Sequence, residues 1–176
     1  MVKEDPLWRK YERAIEMLLS TMDPNAKVAH NAMITGRLSG VSRQVDVLAR
    51  GTVVGLEISV ASECKRYTRT VGIGTVDQFI GKLLDLAAER GILYSYSGFS
   101  QAALHRAVGS SNPSVLLVTL ENPEDVAAGA YAPDYSTEGL VDALWADELD
   151  TEDYLHFVQT GKWWKSPRTT VGRAPT

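Results

Sequence analysis

Asp46 and the close pair Glu63 and Lys65 are the residue types that phosphodiester chemistry uses. They lie in two strand-like runs, RQVDVLA and ISVASECKRYTRTV. Side chains two apart on a strand point to the same face, so Glu63 and Lys65 project together while Cys64 points away. If the two runs pair as a hairpin, Asp46 reaches that face too. Two carboxylates and an ammonium then share one end of a sheet. Carboxylates side by side repel, and a divalent cation held between them removes that cost. Hard oxygen ligands suit Mg2+ or Mn2+. Such a cation can polarise a phosphodiester and lower the pKa of a bound water. Lys65 would orient that water or stabilise charge on the phosphorane.

The elements that must position these residues follow from periodicity. Asp5 is expected as a helix N-cap with Pro6 at the first helical position. Trp8, Tyr11, Ile15, Leu18 and Met22 recur at helical spacing, and the helix should end near Asp23-Pro24. Residues 26–35 read as a first strand and GRLSGVSR as a loop. Residues 44–49 and 53–65 read as two strands joined at Arg50-Gly51. The second is long for a strand, so a bend or bulge is expected near Ala61-Ser62. From 75 to 90 the period becomes helical: Val76, Phe79, Ile80, Leu83, Leu86 and Ala87 form a stripe opposite Gln78, Lys82, Asp85 and Glu89, and Gly91 is the stop. ILYSYS reads as a strand, residues 100–108 as a helix and SVLLVTL as a last strand. The order is α-β-β-β-α-β-α-β, one α/β domain over 1–122, followed by an extension over 123–176. Within that extension LVDALWADEL and TEDYLHFVQTG look like short helices.

Bulk properties bound the class. The chain has 176 residues, 44% of them hydrophobic, enough for a core of its own. No apolar run approaches the roughly 18–20 residues that span a bilayer, and the N-terminus carries no stretch of the signal-peptide kind. A soluble, cytoplasmic protein without membrane contact is expected. One cysteine excludes an internal disulfide and a zinc site built on CxxC. Cys64 reads as a small buried hydrophobe, because His30, His105 and His156 are scattered with no spacing that makes one its partner. The run VGIG at 71–74 lacks the third glycine of a dinucleotide loop.

The net charge of −4 conceals a segregation. Residues 121–161 hold eleven Asp and Glu and no Lys or Arg, whereas residues 1–120 carry a net +3. The acidic segment is expected to make an intramolecular or partner contact, since Tyr131, Tyr135, Trp145, Tyr154 and Phe157 need something to pack against. The ending KWWKSPR mixes aromatic and basic residues, a pattern that anchors a chain end or touches nucleic acid.

Asp46, sixteen intervening residues, then Glu63-Cys64-Lys65 resembles the D…(D/E)xK signature of the restriction-endonuclease-like nuclease superfamily. ECKRY, the helix opening TVDQF and the strand leading into SGFS and QAALHRA extend the similarity to the catalytic domain of Mrr-like restriction endonucleases, over residues 8 to about 120. Many Mrr-like enzymes have Gln where this chain has Glu63, so here the motif follows the broader superfamily pattern. The resemblance implies a restriction-endonuclease-like core, with a central mixed sheet of four to five strands flanked by helices. It implies Asp46 and Glu63 as metal ligands, Lys65 as the catalytic lysine and Glu12, on the first helix, as an auxiliary ligand. Gln78 becomes a neighbour of the site. Arg66 and Arg69, with Arg43, lie where a DNA backbone would pass. The implied activity is Mg2+- or Mn2+-dependent cleavage of DNA in restriction or DNA processing, by a homodimer if both strands are cut. Two other readings keep the same core: a catalytically inactive nucleic-acid-binding or assembly subunit, and a junction-resolving nuclease.

Overall fold

The computed structural model describes residues 6–53, 55–120 and 151–163. The first helix, α1 (Leu7–Met22), is followed by β1 (Lys27–Thr35), β2 (Ser42–Val53) and β3 (Leu56–Lys65). Then come α2 (Ile73–Leu86), β4 (Arg90–Ser95), α3 (Gln101–Val108), β5 (Ser114–Thr119) and, after the undescribed residues 121–150, α4 (Thr151–Thr160). One sheet has the order β1-β2-β3-β4-β5. Its first three strands are antiparallel, and β3, β4 and β5 are parallel. The sheet is therefore mixed, as expected. Among the described residues no helix is long and apolar enough to cross a membrane.

Two apolar layers sandwich the sheet. Tyr11, Ile15, Leu18 and Leu19 of α1 pack with Val47, Val60, Ile92 and Leu116 on one face. On the other, Val76, Phe79, Ile80 and Leu83 of α2 pack with Ala103, Leu104 and Ala107 of α3 against Val45, Ala61, Leu93 and Leu117. Strands β4 and β5 are buried on both faces and read as continuous apolar runs for that reason.

Several boundaries differ from the expected ones. The N-cap of α1 is Pro6, not Asp5, with no side-chain cap; its carbonyl accepts from the Arg9 and Lys10 amides. Trp8 lies outside the core, with the Arg9 guanidinium 5.1 Å from its ring centroid. Arg50-Gly51 is no turn: Arg50 pairs with Ser59 and Gly51 with Ile58, the ladder runs on to Val53↔Leu56, and Gly55 takes φ 81°. Strand β3 is ten residues long and pairs with β2 without a bulge from Val53↔Leu56 to Val47↔Ser62.

Helix α2 stops at Ala87, which adopts the left-handed conformation (φ 54°), with the Ala88 amide donating to Leu83 O. That is a helix-ending turn that glycine usually supplies. Gly91, expected as the stop, instead lies in β4 beneath α2. A Cβ there would overlap Leu83 Cδ1 and the Phe79 ring, so its role is close approach of helix to sheet.

The expected helix TEDYLHFVQTG is present as α4, whereas LVDALWADEL lies outside the described residues, as does most of the acidic segment. Tyr154 and Phe157, 2% and 1% exposed, enter the α1 layer. Arg90 Nε donates to Val158 O (3.1 Å) and Trp163 Nε1 to Val115 O (2.8 Å), tying the segment to β4 and β5. Tyr11 Oη donates to Leu120 O (2.7 Å), fixing α1 to the end of β5.

Candidate active site

The site forms where β2 and β3 part. Asp46 faces Asn31 across the β1–β2 ladder, whose register is the same on either side (His30↔Val47 and Ala32↔Val45). Asn31 has φ 52°, a conformation that asparagine tolerates better than most residues. Strict alternation would put Val45 and Val47 on one face. Instead Val45 packs in the α2 layer and Val47 in the α1 layer. The partner strand switches in step, with Val28 in the α1 layer and Ala32 and Ile34 in the α2 layer. The strand thus rotates at Asp46. Its Oδ2 accepts from the Cys64 amide (2.9 Å), beyond the end of the β2–β3 pairing at Val47↔Ser62.

Glu63 is buried on the α2 side of β3. Lys65 Nζ donates to Glu63 Oε2 (2.8 Å), and Lys82 Nζ of α2 donates to Glu63 Oε1. Both carboxylate oxygens are therefore held by ammonium groups, one from the same strand and one from the helix above. Burial pulls the Lys65 pKa down, but the charge and hydrogen bond of Glu63 outweigh it and leave the pKa above the ordinary lysine value. Lys65 is a cation at neutral pH.

Asp46 is in the opposite position. Burial, then repulsion from Glu63, raises its pKa from 3.8 to about 6; the Cys64 amide works against the rise. Glu12 adds to it. Burial, then Asp46 and Glu12, likewise push the Cys64 thiol well above its usual pKa, so it stays protonated and a poor nucleophile.

The structure brings Asp46, Glu63 and Lys65 together. Glu12 is buried on α1, where its Oε2 lies 3.0 Å from His30 Nε2. Among the described residues, no three His, Cys, Asp or Glu side chains converge tightly enough to hold an ion. The donor set still fits a hard divalent cation. Asp46 and Glu63 offer carboxylate oxygens, the ligand type such a cation takes, and in this structure Lys65 and Lys82 hold the two oxygens of Glu63.

Gln78 and Lys82 line an open cleft of about 720 Å3, together with Glu63, Lys65 and the start of β2 at Ser42, Arg43 and Gln44. Arg43 is engaged elsewhere: its Nε donates to Asp85 Oδ2 (2.7 Å). The Arg66 guanidinium stacks 4.6 Å from the Tyr96 ring centroid, and Arg69 is exposed just beyond it. Sequence reasoning placed Lys82 and Asp85 on the polar, outward side of α2. Lys82 instead turns to the site and Asp85 is buried. The usable signal for Lys82 was its spacing four residues after Gln78, which puts both on one helical face.

The family model for the Mrr catalytic domain, described as restriction endonuclease, matches residues 6–124. The chain belongs to this family. Three solved structures are similar to it. One is described as a protein of unknown function, AF1548: 17% identity, TM-score 0.49, covering 85% of this chain and 78% of that one. Another is the DNA modification-dependent restriction endonuclease AspBHI: 22% identity, TM-score 0.47, covering 72% and 32%. The third is the MspJI restriction endonuclease in complex with a 27-mer oligonucleotide: 16% identity, TM-score 0.44, covering 91% and 35%. The chain thus spans about a third of the length of the latter two endonucleases. No curated protein matches the sequence.

Proposed function

We propose that this Mrr-family chain is a divalent-metal-dependent DNA endonuclease that hydrolyses phosphodiester bonds. The observation that carries the reading is the meeting of Asp46, Glu63 and Lys65 at one end of the sheet, beside a cleft open to solvent. Asp46 and Glu63 would hold Mg2+ or Mn2+, with Glu12 as an outer carboxylate. The bound cation would polarise the phosphodiester and make water a nucleophile at neutral pH. Lys65, kept protonated by Glu63, supplies a fixed positive charge for the phosphate in its transition state. Its ammonium would donate to a phosphate oxygen of bound DNA. Arg66 and Arg69 extend that positive edge along the direction of β3, and Gln78 offers a neutral donor from the opposite wall. Arg43 reaches the cleft rim but is tied to Asp85, which supports a role in shaping the rim as well as in meeting DNA. Cutting both strands of a duplex needs two such sites, so a homodimer on DNA belongs to the same reading.

Nicking of supercoiled plasmid tests it. Cleavage should require Mg2+ or Mn2+ and disappear in Lys65→Ala. The reading is wrong if pure, folded protein leaves plasmid, linear duplex and branched DNA all intact with either metal. Comparing those substrates also separates a duplex endonuclease from a junction-resolving one.

A further inference from the structure

The loop between β1 and β2, residues 36–41, is built as a rigid object although it is on the surface. Asp85, near the end of α2 and 4% exposed, is its anchor. The Asp85 carboxylate accepts from the Leu38 amide (3.1 Å), the Ser39 amide (2.8 Å), the Ser39 hydroxyl (2.7 Å) and Arg43 Nε (2.7 Å). Its backbone carbonyl takes the Arg37 amide (2.6 Å). Within the loop the Gly36 amide bonds Val41 O, the Gly40 amide bonds Gly36 O and the Val41 amide bonds Ser39 Oγ. A Cβ on Gly36 would overlap the Asp85 carboxylate, so the fit leaves no slack there.

This rigid loop carries apolar side chains into water. Leu38 is 71% exposed and Val41 56%, and Met33, on the adjoining end of β1, is 63% exposed. A surface loop that must only connect two strands has no use for an ordered apolar tip. Ordering its backbone in advance removes part of the entropy cost of binding something.

Charge says what that partner is. From residue 24 to residue 56 the hairpin carries Lys27, Arg37, Arg43 and Arg50, and its one acid, Asp46, is buried. Lys27 and Arg50 pair at the far end of this hairpin and Arg43 is bonded to Asp85, so within the hairpin the charge left at the loop end is that of Arg37. Arg37, exposed beside Leu38, is the cation at the tip. Position agrees. The loop runs directly into Ser42, Arg43 and Gln44, which line the cleft with Lys65. Its anchor Asp85 lies three residues after Lys82, the residue that grips Glu63, so loop and site hang on neighbouring turns of one helix.

We infer that the 36–41 loop is a preformed DNA-reading element that enters a groove of the duplex beside the cleft, with Leu38 and Val41 against sugar and base edges and Arg37 on a phosphate. This inference rests on the endonuclease reading, and it states where on the chain the duplex is gripped outside the reacting centre.

Fluorescence anisotropy of a short labelled duplex titrated with the full chain tests it, with Ca2+ present in place of Mg2+. Leu38→Ser should weaken binding by about tenfold, within the range expected for losing one good contact. Arg37→Ala should weaken it and lower the salt slope by about one. Leu38→Ser should leave that slope unchanged. Both side chains are exposed, so thermal melts should match the unmodified chain. Val41→Ser is a second variant carrying the same expectation as Leu38→Ser. If the unmodified chain binds and cuts duplex while all three variants bind as it does, the loop inference is overturned and the nuclease reading stands. If the unmodified chain neither binds nor cuts, both fall together. If Leu38→Ser instead dissociates a dimer and leaves the affinity of each protomer for duplex intact, the loop is a self-association surface and the inference is overturned.

Discussion

Glu63 is gripped from two directions: Lys65 reaches it along the strand, and Lys82 reaches its other oxygen from α2. A single buried carboxylate thus joins the central sheet to the helix that lines the cleft.

Removing Lys82 tests the weight of that link. Lys82→Met should destabilise the metal-free protein by about 1 kcal/mol, because Glu63 keeps one partner and stays only partly compensated. In Glu63→Gln the same substitution should cost close to nothing. Urea denaturation of the four proteins of this cycle measures the coupling. A cost that is the same with and without Glu63 would mean that Lys82 acts through something else.

Asp46 makes stability depend on pH in the metal-free protein. Its folded pKa, about 6, lies above the ordinary 3.8, so the folded state binds the proton more tightly. The stability this provides is complete below about pH 4 and is lost as pH rises through 6. At about 1.4 kcal/mol per pKa unit, the loss by pH 7.5 is on the order of 2–3 kcal/mol. Asp46→Asn keeps an acceptor for the Cys64 amide and has no charge to desolvate. It should therefore equal the unmodified protein near pH 4 and exceed it near pH 7.5. Saturating Mg2+ should stabilise the unmodified protein at the higher pH and leave Asp46→Asn nearly unaffected.

Asp85 runs the other way. Hydrogen bonds from the Ser39 hydroxyl, then from Arg43 and the Ser39 amide, hold its carboxyl below the usual range. Its contribution is present at neutral pH and is lost as pH falls through the carboxylate range. Asp85→Ala should lower the melting temperature at pH 7 and speed hydrogen exchange at the Leu38 and Ser39 amides. Unchanged exchange at those amides would show that the loop is ordered without this anchor.

The C-terminal helix should be part of the folding unit. Phe157→Ala is expected to cost about 3–5 kcal/mol, the usual range for emptying a buried aromatic site. Equilibrium denaturation should show this as one cooperative transition at lower urea. If α4 is only an attachment, the main transition will not move.

Much of this protein was legible in its sequence because local chemistry carried the information. The D…ExK spacing, the apolar stripes of α1 and α2 and the short apolar runs of β4 and β5 specify element types and order by periodicity alone. The pairing of Glu63 with Lys65 follows directly from strand alternation. Helix α4 was legible as well, down to Tyr154 and Phe157 needing a core to enter.

The tertiary structure decided the rest, because each remaining feature depends on a partner far away in the chain. A sequence window cannot see that Val45 and Val47 face opposite layers. Where the strand rotates, Asn31 stands opposite Asp46 and Cys64 offers its amide. Lys82 and Asp85 read as solvated because polar residues opposite an apolar stripe usually are. They turn inward since Glu63 and the 36–41 loop supply the charge and donors that make their burial affordable. Gly91 is a helix stop by local rules, but the packing of Phe79 and Leu83 on β4 makes it a point of contact. Periodicity sets what each element is; the matching of buried charges across elements sets where the site lies.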